Sequence, residues 1–249
     1  MATQKKQDTE IMIEKLSVGN ARVWIRGTSP LIYNAMSAKS RHELLLPKGR
    51  KTTADKAQTL KHVPVEEYRN SVYSRIDEGV TRLVFPAAAF KSAMCNAALE
   101  IPGAKKAQIG RLVWVVGDMV DVYGAPKLHM SVVRSADMNR TPDVRTRAIL
   151  PQWCCCVTVQ YVMPTMTDVA VARLLETAGI VIGIGDFRQE KGKGNYGQFT
   201  LSSESECADI VAAGGMMVQD SALEVPTCYD RESTELLEWF EAERKNRGR

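Results

Sequence analysis

The chain has 249 residues, of which 45% are hydrophobic and 25% are charged, and its formal net charge at pH 7 is +4. This length allows one large domain or two small ones, and the composition is typical of a soluble globular protein rather than of a fibrous or disordered chain. The N-terminus is polar and no apolar run approaches about 18 residues, so we expect no signal peptide, no membrane partner and a cytoplasmic location.

Charge is distributed unevenly along the chain. Residues 1–200 contain 28 lysines and arginines against 18 acidic residues, whereas residues 201–243 contain eleven acidic residues and one basic residue, Arg231. A basic body predicts binding to a polyanion. The acidic part is suited either to docking on a basic neighbour or to forming a solvated helix without a partner. We therefore divide the chain into a nucleic-acid-binding domain, 1–202, and an acidic C-terminal segment, 203–249, that ends in a helix.

The six cysteines predict neither disulfides nor a metal site. Three of them, Cys154, Cys155 and Cys156, are adjacent in an apolar run, and neighbours on a strand point to opposite faces. There is no C-x-x-C pair, and the three histidines are far apart in sequence, so zinc is not expected. The cysteines are interpreted as reduced core residues of a cytosolic protein, and no cofactor is implied.

The first elements in chain order are two strands, predicted at residues 11–16 and 21–27. In the second strand, the aliphatic residues Val23 and Ile25 occupy alternate positions, so both are expected on the inner face of the sheet. The residues expected on the outer face are Arg22, Trp24 and Arg26.

Residues 37–63 follow as a basic insertion with little to bury. The pattern fits a plain loop as well as a binding arm. In the second case Lys48, Arg50 and Lys51 would contact nucleic acid.

The middle of the chain alternates between helices and strands. Apolar residues at helical spacing predict helices over residues 65–76 and 87–99. Residues 112–116 and 119–123 are predicted to form a hairpin, because the Gly-Asp pair between them favours a tight turn.

Residues 133–149 are predicted as a projecting β-hairpin. Weak strand signals flank a polar tip at residues 137–143. Four arginines are expected to line the hairpin and to contact a nucleic-acid backbone: Arg134, Arg140, Arg145 and Arg147.

The remaining elements complete an α+β pattern. We predict a strand over 153–162, a helix that begins at Thr167 or Asp168 and ends at Gly179, strands over 180–184 and 198–202, and an acidic helix over 230–247. The β-α-β order that closes on a glycine-rich loop is compatible with a ferredoxin-like or RNA-recognition-type sheet.

That glycine-rich loop, residues 183–199, is the most informative segment of the chain. It combines five glycines with three basic and three aromatic residues. Glycine permits positive φ, and successive N–H groups in such turns form concavities for phosphate oxygens. Ordinary hairpin turns use the same residues, so a structural role stays open. The residues expected to contact nucleic acid are Arg188, Lys191, Gly192, Lys193, Gly194 and Tyr196.

The same residues resemble a known family. Gly183-Ile184-Gly185, the later Gly192-Lys193-Gly194 and Tyr196-Gly197-Gln198-Phe199 look like the C-terminal glycine-rich loop of the RAMP superfamily of CRISPR-associated proteins. The strand that ends in Thr28-Ser29-Pro30-Leu31-Ile32 is similar to the first strand of its guide-RNA-coating backbone subunits. The string Phe85-Pro86-Ala87-Ala88-Ala89-Phe90-Lys91 and residues 182–188 resemble uncharacterised bacteriophage proteins.

The resemblance implies a modified RNA-recognition fold that holds a single strand along a basic face. It also implies subunits that stack into a filament, with residues 133–149 as a thumb that reaches over the strand. If the chain is encoded by a phage, its location would be the bacterial host cytoplasm.

Three classes of function follow from this pattern. The first is a non-catalytic protein that binds single-stranded DNA or RNA and oligomerises along it, in phage DNA replication or recombination or in coating a guide RNA. The second is a metal-independent RNA endonuclease, for which His42, with Arg41 and Tyr33 nearby, is the one suggestive acid–base group, because His62 and His129 lie among no plausible partners in sequence. The third is a phage structural or inhibitor protein that acts through protein contacts. We expect the first, and therefore no enzyme.

Overall fold

A computed structural model describes residues 15–45, 62–134, 142–191, 194–212 and 220–246. Several sequence predictions fall outside these ranges. They are most of the strand at 11–16, most of the insertion including Lys48, Arg50 and Lys51, and the residues Arg140, Gly192 and Lys193.

The main sheet has seven antiparallel strands. Strand β1, Ser17–Gly27, lies between β10, Phe199–Ser202, and the long strand β9, Cys154–Met163. The alternation predicted for β1 is confirmed where it is clearest, since Ile25 is fully buried and Arg22 is exposed. Arg22 and Trp24 therefore lie on the face of the sheet opposite the core.

The far edge of β9 pairs with two short strands in succession. These are β5, Val113–Val115, and β6, Met119–Tyr123, and each pairs with β9 rather than with the other. The hairpin predicted at this point is wrong. Because β9 offers one continuous edge, the positive φ of Gly117 allows a bulge between the two strands instead of a chain reversal.

The sheet continues through β4, Val80–Pro86, to β3, Ser74–Asp77. A two-residue turn with positive φ at both positions, Glu78 and Gly79, connects them. The helix predicted over 65–76 is wrong in its second half. Helix α2, Pro64–Ser71, ends before this strand, and Ile76 is 79% exposed on β3.

Helices cover the inner face of the main sheet. Helix α3, Ala87–Ala97, continues into a short 3₁₀ helix, Ala98–Glu100, and α4, Lys106–Leu112, packs beside it. Helix α5, Asp168–Val181, connects β9 to β10 and begins at the predicted cap, Thr167, whose side chain accepts a hydrogen bond from the Ala170 N–H.

Gly179 does not end α5, and the strand predicted over 180–184 is absent from the described residues. A side chain at Gly179 would overlap the backbone carbonyl of Phe199, so this glycine allows the helix to lie close to β10.

A second sheet has three strands. They are β2, Leu31–Ile32, then β8, Pro142–Leu150, and β7, Lys127–Arg134 at the edge. Strands β7 and β8 form a hairpin at the predicted place, longer at its base than residues 133–149, and its tip at 135–141 lies outside the described residues.

The other helices lie around this second sheet and the outer face of the main sheet. Helix α2 packs on β8, and α8, Arg231–Asn246, packs on β7. Helix α6, Glu204–Ile210, lies on the outer face beside β1, and α7, Asp220–Glu224, contacts α2. Helix α1, Ala38–Leu45, opens the insertion.

The core lies between the main sheet and helices α3 and α5. Its largest fully buried side chains include Trp153, Tyr33, Tyr68 and Phe90. Four cysteines, Cys95, Cys154, Cys155 and Cys207, are buried, Cys156 and Cys228 are partly buried, and none of them forms a disulfide within the described residues. The chain is thus a mixed α+β protein on antiparallel strands, which confirms the predicted fold class at that level.

Candidate functional site

The backbone of the glycine-rich loop is held largely by other backbone groups. The N–H groups of Ile184, Asp186 and Gly197 donate to the carbonyls of Gly197, Ile32 and Pro30, at 2.8 to 3.0 Å. These donors point into the protein and not toward a ligand. They fasten the loop to the segment that follows β1.

The loop glycines serve this close packing. Gly185 has φ of +87°, and a methyl group there would lie 2.6 Å from the Ile32 carbonyl oxygen. At Gly197, with φ of +71°, a methyl group would overlap the Ile184 carbonyl oxygen, and one at Gly194 would overlap that of Phe187. These three positions therefore require glycine for structural reasons.

Arg188 is the one basic residue of the loop whose side chain the structure describes, and it contacts other residues of the loop. Its guanidinium lies 2.7 Å from the Glu190 carboxylate and donates to the Gly185 carbonyl at 3.1 Å. Lys191 belongs to a short 3₁₀ helix, Gln189–Lys191. Phosphate contacts by Lys191 and Lys193 stay a prediction.

The hairpin arginines occupy different environments. Arg134 and Arg145 are exposed, whereas Arg147 is partly buried, with its Nε 3.7 Å from an Asp186 carboxylate oxygen. Burial lowers the pKa of Arg147, and Asp186 opposes that shift. The hairpin and the glycine-rich loop, predicted separately, therefore meet at the Arg147–Asp186 pair.

Two histidines have carboxylate partners, one of them close in sequence and two of them distant. His62 lies between Glu67 and Asp143, with its ring nitrogens 2.8 and 3.0 Å from their oxygens. His129 Nδ1 is 3.3 Å from Asp230. The prediction that these histidines lack partners is wrong, because residues up to 101 positions apart meet at the hairpin.

The arrangement proposed for a nuclease is not assembled around His42. Its helix, α1, carries His42 on the exposed surface, while Tyr33 is fully buried among Tyr73 and Phe85. Burial raises the pKa of the Tyr33 hydroxyl well above its usual range, so this group does not supply a base near neutral pH.

The ionised carboxylate of Asp230 is expected to stabilise the fold, and this contribution should be lost in acid. Its partial burial favours the neutral acid, but hydrogen bonds from Ser233 and the nearby His129 outweigh this and lower the pKa below 3.8. The ionised carboxylate therefore stabilises the fold above about pH 4, and this contribution is lost as the pH falls through the lower, folded-state pKa. We expect Asp230→Asn to flatten the fall of the unfolding free energy below pH 4, measured by urea denaturation. An equal effect of Asp118→Asn, which changes an exposed carboxylate, would contradict this assignment.

The outer face of the main sheet carries a second group of residues, here called the open face. It comprises Arg22 and Trp24 on β1, Tyr123 on β6, and Cys156 and Thr158 on β9. Trp24 and Tyr123 are stacked, with ring centroids 5.9 Å apart and planes at 26°. Both rings are only partly buried, so the sheet presents aromatic surface on this face.

A cavity of about 270 Å³ opens on this face. Its lining includes Arg22, Tyr123, Cys156 and Thr158 of the open face, together with Arg75 and Asp121. This volume is near the lower end of small-molecule sites, which begin at about 300 Å³.

Arg22 is the basic residue of the open face, and its pKa is raised by the hydrogen bond to Cys156 and, to a smaller extent, by the charge of Glu204 at the start of α6. Arg22 is exposed, and its Nε donates to the Cys156 sulfur at 3.1 Å. Arg75, by contrast, is paired with Asp121 at 2.9 Å. Arg22 is thus the exposed cation at this cavity, beside the Trp24–Tyr123 aromatic pair.

The comparisons with known proteins supply no relative for this chain: no protein-family model matches it, and no curated protein is similar to it. Within the described residues, no helix combines the length and apolar character needed to cross a membrane. The same part of the chain contains no group of three or more His, Cys, Asp or Glu side chains arranged to hold a metal ion.

Proposed function

We propose that the protein binds single-stranded nucleic acid without cleaving it, and that the open face is its principal contact surface. The observation that carries this proposal is the partly exposed Trp24–Tyr123 stack beside Arg22 on the outer face of a sheet. Aromatic rings stack on any base, and a neighbouring arginine neutralises the backbone, so this combination favours binding with little sequence preference.

The order of the strands supports a ferredoxin-like or modified RNA-recognition-type sheet as the framework. Strands β10, β1 and β9 are followed by β5 and β6, helix α3 precedes β5, and α5 connects β9 to β10. This order is compatible with a β-α-β-β-α-β unit in which two helices cover one face of the sheet.

The basic segments are proposed as further contacts along the same strand of nucleic acid. Arg134 and Arg145 are exposed on the hairpin, which supports a role in backbone contact. Oligomers along the strand are supported by β3, which within the described residues pairs on one side only and so leaves an edge for a neighbouring copy.

A fluorescence-anisotropy titration with labelled oligonucleotides tests the proposal. We expect single-stranded DNA or RNA to bind more tightly than duplex, with an affinity that falls as salt increases. Arg22→Gln should reduce the slope of log affinity against log salt by about 0.7, the value for one phosphate contact on a single strand. Arg231→Gln, which removes an arginine that is 91% exposed on α8, should leave the slope unchanged.

No binding to any oligonucleotide at low salt would contradict the proposal and favour a protein that acts through protein contacts. Cleavage of RNA by the wild-type protein would contradict its non-catalytic part.

A further inference from the structure

We propose that α6, the first helix of the acidic segment, is a built-in competitor that occupies one end of the open face until nucleic acid displaces it. This inference rests on the proposed function and concerns its regulation. It assigns to the acidic segment an intramolecular partner, the basic outer face of β1.

The helix is placed on this face by the chain itself. It begins directly after β10, where Ser203 and Glu206 form a capping box: Ser203 Oγ accepts from the Glu206 N–H at 3.2 Å, and Glu206 accepts from the Ser203 N–H at 2.8 Å. Because β10 pairs with β1, α6 cannot form without lying near the end of the open face.

The contacts of α6 are those that a nucleic-acid strand would use. Arg26, two residues beyond Trp24 on β1 and on the same face, binds the Asp209 carboxylate at 2.9 Å and donates to the Glu206 carbonyl at 2.5 Å. Cys207 and Ile210 form a small apolar cluster with Cys154, and Trp24 and Tyr123 pack against it. A carboxylate thus occupies the position of a phosphate, and apolar side chains cover part of the aromatic surface.

The ion pair is the exposed part of this attachment, whereas the apolar contacts of α6 are buried. Within α6, Cys207 and Ile210 are the buried residues, and the Asp209 side chain is 60% exposed. An ion pair this exposed weakens as salt or a competing polyanion is added. The Asp209 carboxylate, 2.9 Å from the Arg26 guanidinium, neutralises the charge that would attract a phosphate and repels the phosphate itself, so strand binding at this end favours release of the ion pair.

Asp209→Asn tests the competition in the full-length protein. We expect affinity for a single-stranded oligonucleotide of uniform sequence to rise about two- to fivefold, the effect of freeing one exposed ion pair. The salt slope should steepen by about 0.7, because Arg26 becomes available for a phosphate. Glu235→Gln is the matched control, since it likewise removes a carboxylate paired with an arginine, Arg231 on α8, and it should change neither quantity.

Hydrogen exchange provides a second, independent measurement. Excess oligonucleotide should accelerate amide exchange in residues 204–210 of the wild-type protein, because displacement exposes the helix. Unchanged or slower exchange there, or equal effects of Asp209→Asn and Glu235→Gln, would overturn the competitor while leaving the binding function standing. Failure of the wild-type protein and of Asp209→Asn to bind any oligonucleotide would overturn both.

Discussion

Trp24→Ala is expected to weaken binding of single-stranded DNA or RNA about 10- to 100-fold. Loss of one base–aromatic stack costs about 1–3 kcal/mol, and Trp24 is the larger ring of the pair on the open face. Because stacking depends on the ring and not on the indole N–H, Trp24→Phe should recover most of the affinity. Titrations at constant salt measure both variants, and urea denaturation shows whether each remains folded at the assay temperature.

Trp239→Ala is the matched control for this prediction. Trp239 is 64% exposed on α8, so its removal deletes the same side chain from another part of the surface. Equal affinities for Trp24→Ala and the wild-type protein, or equal losses in the two tryptophan variants, would exclude the open face as the stacking surface.

Gly197→Ala is expected to cause the largest loss of stability among single changes in the loop, about 3 kcal/mol or more. The residue has φ of +71°, which strains any side chain, and the added methyl group would overlap the Ile184 carbonyl oxygen. The backbone of the loop must therefore shift, and with it the hydrogen bond from the Gly197 N–H to Pro30. Urea denaturation measures the change in the free energy of unfolding.

Gly103→Ala separates the clash from the backbone strain. Gly103 has φ of +81° but no atom within 4 Å of an added methyl group, so we expect a loss of only about 1–2 kcal/mol. Similar losses at the two positions would mean that the loop has room for a side chain, and would remove the argument that its glycines serve close packing.

Elements with strong periodicity could be predicted from the sequence. The alternation in β1, the capped start of α5 and the amphipathic C-terminal helix each arise from residues near one another in the chain. Local signals of this kind depend on backbone geometry and on which face is buried, and tertiary contacts reinforce them here.

Predictions that required knowledge of a distant partner were wrong. Gly117 looks like a hairpin turn, but β9 provides a long edge on which both flanking strands pair. Gly179 looks like a helix end, but its missing side chain is what lets α5 approach Phe199. In both cases the glycine is compatible with two different local structures, and contacts with distant parts of the chain determine which one forms.

Only the orientation of the β1 residues of the candidate site could be predicted, and no residue of the open face was among those expected to contact nucleic acid. Alternation in β1 placed Arg22 and Trp24 on the outer face, which the structure confirms. Tyr123 could not be added to them, because its position depends on how β6 pairs with β9 and not on any local pattern. The contact of α6 with Arg26 was foreseen only as a possible docking of the acidic segment on a basic neighbour.

The most direct test of the central claim is photo-crosslinking of a single-stranded oligonucleotide that contains a photoreactive thymine or uracil analogue, with the crosslinked residues identified by mass spectrometry. If the open face is the principal contact surface, crosslinks should form at Trp24 and Tyr123 and should disappear with excess unlabelled competitor. Crosslinks confined to the glycine-rich loop or the hairpin, with none on β1 or β6, would contradict it.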